Sequence, residues 1–195
     1  MVETERRLSQ AVWDVVATQG IEGTSVRAVA ERAGCTTGLI MHRFGSRAAL
    51  LVHARRLMLE RTTARADAIE AEPASPAERL RRVLASALPL DTERVDEARV
   101  WLGFAAAAVA DPALREIQQD GNRTWLRRLT RLILATGEAV DEAPAEEAAV
   151  GLAALVEGLG SLAVLDPHTY TGERLERALD DAVQAATWRV NGGKA

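Results

Sequence analysis

The sequence predicts an all-α protein, and three observations carry that expectation. Ala, Leu, Arg and Glu dominate the 195 residues while Tyr occurs once and Phe twice, so strands have little to be built from. Apolar residues recur at helical spacing along the chain. The interruptions fall at Gly, at Pro or before a capping Ser or Thr, the residues that stop and start helices.

The elements follow in order. Leu8, Ala11, Val12, Val15 and Val16 form the inward stripe of a first helix, for which Gly20 is the C-cap candidate. Ser25 caps a short second helix running to Ala33, with Val26, Val29 and Ala30 inward. Gly34 breaks the chain, and Thr36 or Thr37 caps a third helix to about Phe44. A fourth starts at Ser46 and continues past Arg61, with Leu50, Leu51, Ala54, Leu57 and Met58 inward. Glu72-Pro73-Ala74-Ser75-Pro76 is the clearest break. Beyond it, helices are expected over 77–88, 92–110, 112–136, 144–165 and 171–190, with Pro112 at a first turn and Asp166-Pro167 separating the last pair. The total is nine.

Composition excludes other classes. Hydrophobic residues at 48% and charged residues at 27% indicate a packed core. One cysteine rules out a disulfide framework and a cysteine-based zinc site. The first residues, Met-Val-Glu-Thr-Glu-Arg-Arg, lead into no apolar signal core, so a cytoplasmic location is expected. The run from Ala148 to Leu165 carries Glu157 and is rich in Ala and Gly, which suits a buried helix better than a membrane span. His42, His53 and His168 show no ligand spacing, and no H-E-x-x-H or G-x-S-x-G element occurs. Neither an enzyme, a metal site nor a cofactor is therefore expected.

Charge divides unevenly. Residues 1–61 hold 9 Lys+Arg against 6 Asp+Glu, on a chain whose net charge is −4. A basic front end on an acidic body suits a DNA-binding module joined to a non-DNA domain. The decisive spacing lies between Gly20 and Leu50. A short helix, a turn at Gly34-Cys35-Thr36 and a second short helix make a helix-turn-helix. Its small Ala30 and Ala33 stand where two helices cross closely, and its polar cap stands where the second helix enters the groove.

The residues Ser25-Val26-Arg27-Ala28-Val29-Ala30, Ala33-Gly34, Thr36-Thr37-Gly38-Leu39-Ile40 and Phe44-Gly45-Ser46-Arg47 resemble the TetR family of bacterial repressors. The wording from Gly38 to Arg47 looks most like its choline- and betaine-responsive branch. The resemblance implies a nine-helix fold with a helix-turn-helix DNA-binding domain over 1–48 and a ligand-binding and dimerisation domain over 49–195. It also implies a dimeric repressor on double-stranded DNA carrying an inverted-repeat operator, released by a small apolar or cationic inducer. By the resemblance, Arg27, Thr36, His42 and Arg47 fall at phosphate-contacting positions, while Thr37, Gly38, Leu39 and Arg43 face base edges. Two departures matter. Met41 stands where the family has Tyr, so a phosphate contact is either lost or supplied by His42, and Arg47 replaces Lys while keeping the charge. Arg43 either reads a guanine through O6 and N7 or holds a phosphate. Of Leu39 and Ile40, Ile40 is taken as core, which leaves Leu39 for a thymine methyl. Cys35 reads as a buried spacer.

For the body, the segment 150–165 is apolar on every face and the last helix carries a second stripe. Leu152, Leu155, Leu159, Leu162, Leu175, Leu179 and Val183 are the dimerisation candidates, against the alternative that both stripes serve one internal core. Trp101, Phe104, Trp125, Leu129 and Glu157 are the ligand candidates. The rings either line a pocket, where they could box a cation, or are plain core. Glu157 balances a cationic ligand, bonds a partner backbone or reaches solvent. Control by a protein partner, or by none, is the competing reading of the same fold.

Overall fold

The computed structural model describes residues 3–137 and 142–190. Among the described residues there are nine helices and no strand: α1 Glu3–Gly23, α2 Val26–Ala33, α3 Thr37–Phe44, α4 Arg47–Ala71, α5 Pro76–Ala85, α6 Thr92–Ala110, α7 Pro112–Leu134, α8 Glu142–Leu165 and α9 Gly172–Val190. The caps expected at the second and third helices are in place, and Ser75 adds one to the fifth. Ser25 Oγ accepts from the Ala28 amide, Thr36 Oγ1 from Leu39 and Ser75 Oγ from Glu78. One boundary is more elaborate than expected: Gly20 (φ 69°, ψ −178°) breaks the helical geometry, yet a further turn runs on to Gly23. Fragment 77–88 proves shorter, because Ser86 closes α5 and a turn follows.

The chain packs as two compact units, the first comprising Met1–Arg61 with Arg99–Gln119 and the second Thr62–Ala98 with Asp120–Ala195. To the three helices expected as the DNA-binding part, packing adds the first half of α4 and the corner between α6 and α7. In the first unit Leu8, Val12, Val16, Val29, Ile40, Leu50 and Phe104 share one core. Two ties hold its surface helices to α1. Arg32 reaches Asp14 through both Nε and Nη2 at 2.8 and 2.6 Å, and Arg61 lies 4.6 Å from the Trp13 ring centroid while donating to Gln10.

The second unit builds its core from Leu80, Leu84, Leu88, Leu129, Ile133, Leu152, Leu175 and Leu179, with α9 packed on both α5 and α8. A deeply set ion pair joins α4 to α6. Arg65 donates to both carboxylate oxygens of Glu97 at 2.6 and 2.8 Å, and the Glu97 side chain is only 8% exposed. The stripe read along α7 serves both cores, Leu114 filling the first and Leu129 and Leu132 the second. Helix α8 is long and apolar enough to cross a bilayer by length and composition. Here it turns Ala145, Ala149, Leu152 and Val156 into the second core.

Candidate nucleic-acid interface

The helix-turn-helix is built by three local devices. Gly34 ends α2 in the left-handed region (φ 62°, ψ 41°), where a Cβ would be strained, and its amide bonds back to Ala30 and Glu31. Cys35 follows, half-buried against the first core, and its amide also returns to the Ala30 carbonyl. Thr36 then caps α3, which presents its outer face through eight residues.

That outer face carries the residues expected to meet DNA. Thr37, Gly38, Leu39, His42 and Arg43 are exposed on α3, and Arg27, Thr36 and Arg47 are exposed around it. Ile40 is fully buried and Leu39 is 37% exposed, so the choice between the two falls as the spacing suggested. Val29 and Ala33 are buried beneath α3 while Val26 and Phe44 are half-buried against the same core. A Cβ built on Gly38 would touch only Thr36 Oγ1 at 3.7 Å, an ordinary contact. The protein's own packing therefore does not require glycine there.

Two of the arginines are engaged in ways the sequence spacing did not show. Arg47 donates from Nε to the Thr24 carbonyl at 2.7 Å and from Nη2 to the Ile21 carbonyl at 2.6 Å, closing the last turn of α1 just ahead of α2. Arg43 pairs with Glu5 on α1 and lies 5.6 Å from the Phe44 ring centroid. Behind α3, His53 on α4 sits 5.0 Å from the Phe44 ring and bonds Ser9 Oγ at 2.9 Å. Burial, and next the Arg43 charge, hold the His53 imidazole below its ordinary value of 6.5. Neither Glu5 nor His53 emerged from the sequence, since each meets α3 only after the chain folds back on itself.

The ligand and dimer candidates separate. Phe104 is buried in the first unit, and Trp101 is half-buried there with the Arg55 guanidinium 4.1 Å from its ring centroid. Arg55 is itself 1% exposed and donates to Gln118 Oε1 at 2.9 Å, so this ring already carries a cation of the chain's own. Leu129 is buried and Trp125 half-buried in the second unit. Glu157 is exposed on α8. Of the seam candidates, Leu152, Leu175, Leu179 and Val183 fill the core of the second unit, Leu155 and Leu159 are half-buried, and Leu162 is exposed. A side chain sealed in its own core has no surface to offer a partner. Among the described residues, the large apolar side chains exposed on α8 and α9 are Val150, Leu162, Leu165 and Trp188. Among the described residues no group of three His, Cys, Asp or Glu side chains is gathered for a metal.

A short helix with a polar, cationic outer face and a buried apolar underside, set across a tight turn from its support helix, defines a helix-turn-helix regulator. Comparison with known proteins gives the particular family. Residues 10–54 match bacterial regulatory proteins of the tetR family, and residues 76–187 match the BetI-type transcriptional repressor, C-terminal. The chain belongs to the TetR family and is a DNA-binding transcriptional repressor of BetI type, in a family of regulators rather than enzymes. It is 29% identical to the transcriptional regulator PksA of Bacillus subtilis over 92% of this chain and 88% of that one. It is 30% identical to BetI of Paraburkholderia xenovorans over 84% and 83%. Among solved structures, a transcriptional regulator from Rhodococcus sp. Rha1 superposes with a TM-score of 0.86 at 33% identity, over 97% of this chain and 98% of that one. A regulator from Saccharomonospora viridis, solved in complex with choline, gives 0.84 at 24% identity over 93% and 96%, a likeness of fold.

Proposed function

We propose that the protein binds an inverted-repeat operator as a homodimer and leaves it when a small organic molecule binds the C-terminal part. The observation that carries this reading is the outward presentation of α3, with Ile40 locked in the core and Thr37, Gly38, Leu39 and Arg43 facing out. These four meet base edges, while Arg27, Thr36, His42 and Arg47 lie along the phosphates. Support for the dimer comes from Val150, Leu162 and Leu165 on α8 and Trp188 on α9, four large apolar side chains between 40% and 70% exposed. Two heads related by two-fold symmetry read half-sites about 34 Å, or a multiple of that, apart. Support for the ligand comes from the BetI-type C-terminal match and from the choline held by the Saccharomonospora regulator. Trp125 and Leu129 are the residues assigned to ligand in the second unit.

The test is a footprint on a duplex enriched from random sequence by the purified protein, read beside sedimentation of the free protein. A two-fold symmetric footprint and a dimer at micromolar concentration are expected. An asymmetric footprint or a monomer refutes the dimeric reading. Small molecules extracted from the denatured protein are then returned to the complex. Release of the duplex, lost in Trp125→Ala with ligand-free affinity unchanged, is the expected result.

A further inference from the structure

We propose that Glu5 is a specificity-determining residue, acting through Arg43 to set how much the recognition helix gains when it meets the right bases. The observation is an ion pair spanning 38 residues of chain. Glu5, at the start of α1, accepts from Arg43 Nη2 in the last turn of α3. The same guanidinium lies over the Phe44 ring, so it has a definite resting place on the surface of the head. The pair is neither buried nor fully solvated, with side-chain exposures of 46% for Arg43 and 38% for Glu5.

That intermediate exposure sets what the pair does. A half-exposed pair holds its partners weakly and yields to a better acceptor. The edge of a guanine is such an acceptor, because O6 and N7 together match two N–H groups of the guanidinium fork. A base presenting a donor there offers no exchange, and Arg43 stays on Glu5. Without Glu5, the right duplex gains the whole pair, which no longer has to be broken there, while a wrong duplex gains only the weaker contact that a nearby phosphate offers the released guanidinium. Glu5 also places one negative charge beside a surface that approaches phosphates, which weakens every duplex by a common factor. The two effects are separable: the charge moves all affinities together, whereas the pair moves the ratio between right and wrong sites.

The inference rests on the reading that Arg43 faces base edges, so the experiment tests both. Wild type, Glu5→Gln, Arg43→Ala and the double variant are titrated at fixed salt against a duplex enriched from random sequence by the wild-type protein and against its scrambled counterpart. Thermal melts check that each variant is folded. Glu5→Gln is expected to tighten the enriched duplex about fivefold and the scrambled one less, so that their ratio rises about threefold. Arg43→Ala lowers the ratio by itself, and adding Glu5→Gln to it changes the ratio no further. An unchanged or lower ratio in Glu5→Gln overturns the proposal, as does an equal rise in the Arg43→Ala background, since Glu5 would then act elsewhere. If Arg43→Ala weakens both duplexes alike, the base reading of Arg43 fails and the proposal falls with it. That result is visible in a variant with Glu5 untouched, which distinguishes the two failures.

Discussion

Gly38→Ala separates folding from DNA recognition at one atom. Gly38 lies in the first turn of α3 with a negative φ, and an added Cβ would meet only Thr36 Oγ1 at 3.7 Å. Nothing in the free protein resists the methyl. Alanine is favoured over glycine in a helix by about 0.5–1 kcal/mol, so folding stability should hold or rise by up to that amount. At the DNA the same methyl must fit where glycine lets the helix approach a base edge. Overpacking at a close interface costs about 1–3 kcal/mol, which is roughly 5- to 150-fold in affinity. The assay pairs urea denaturation, followed by circular dichroism, with fluorescence anisotropy on the enriched duplex. Ile40→Ala serves as the contrast. That side chain is fully buried, so the variant should lose about 2–4 kcal/mol of stability and its binding together. Full affinity in Gly38→Ala with unchanged stability would refute the placement of Gly38 against DNA. A loss of stability would refute the packing argument instead.

Three other outcomes follow from the geometry. Arg47→Ala removes two charge-assisted bonds to the Ile21 and Thr24 carbonyls, partly exposed, and should cost about 1–3 kcal/mol in denaturation; an unchanged stability with a salt dependence shallower by about one counterion would make Arg47 a phosphate contact alone. His53 has its folded value held below 6.5 by burial and by Arg43, so the unfolded chain binds the extra proton first. Stability contributed by neutral His53 is present above pH 6.5 and lost as pH falls toward the folded value; melts of wild type and His53→Asn between pH 5 and 7.5 should converge at the acid end. Glu97→Ala strands the Arg65 guanidinium, which is itself part-exposed, and should destabilise the second unit by about 2–4 kcal/mol in chemical denaturation, with Glu97→Gln milder.

The amino-acid sequence by itself determined the helices and the helix-turn-helix. Both are written in local chemistry: the 3.6-residue stripe of Leu8 to Val16, the caps Ser25, Thr36 and Ser75, and the left-handed position of Gly34 each depend on residues a few places apart. The inward turn of Ile40 belongs to the same class, because helical phase within eight residues decides it. What only the tertiary structure decided are matters of long-range partnership. Leu175, Leu179 and Val183 form a stripe that reads as a dimer seam, with an internal core as the alternative, and packing against α5 and α8 buries them in the core. The stripe of α7 looked like one surface and is divided between two cores. Arg43 and Arg47 read as cations free to meet DNA, and the fold brought Glu5 to one and two backbone carbonyls to the other. Trp101 read as a wall for a cationic ligand, and Arg55 arrived from α4 to stack on it. Periodicity reports which side of a helix is apolar; it carries no information about which residue, 20 or 60 places away, the fold will set against that side.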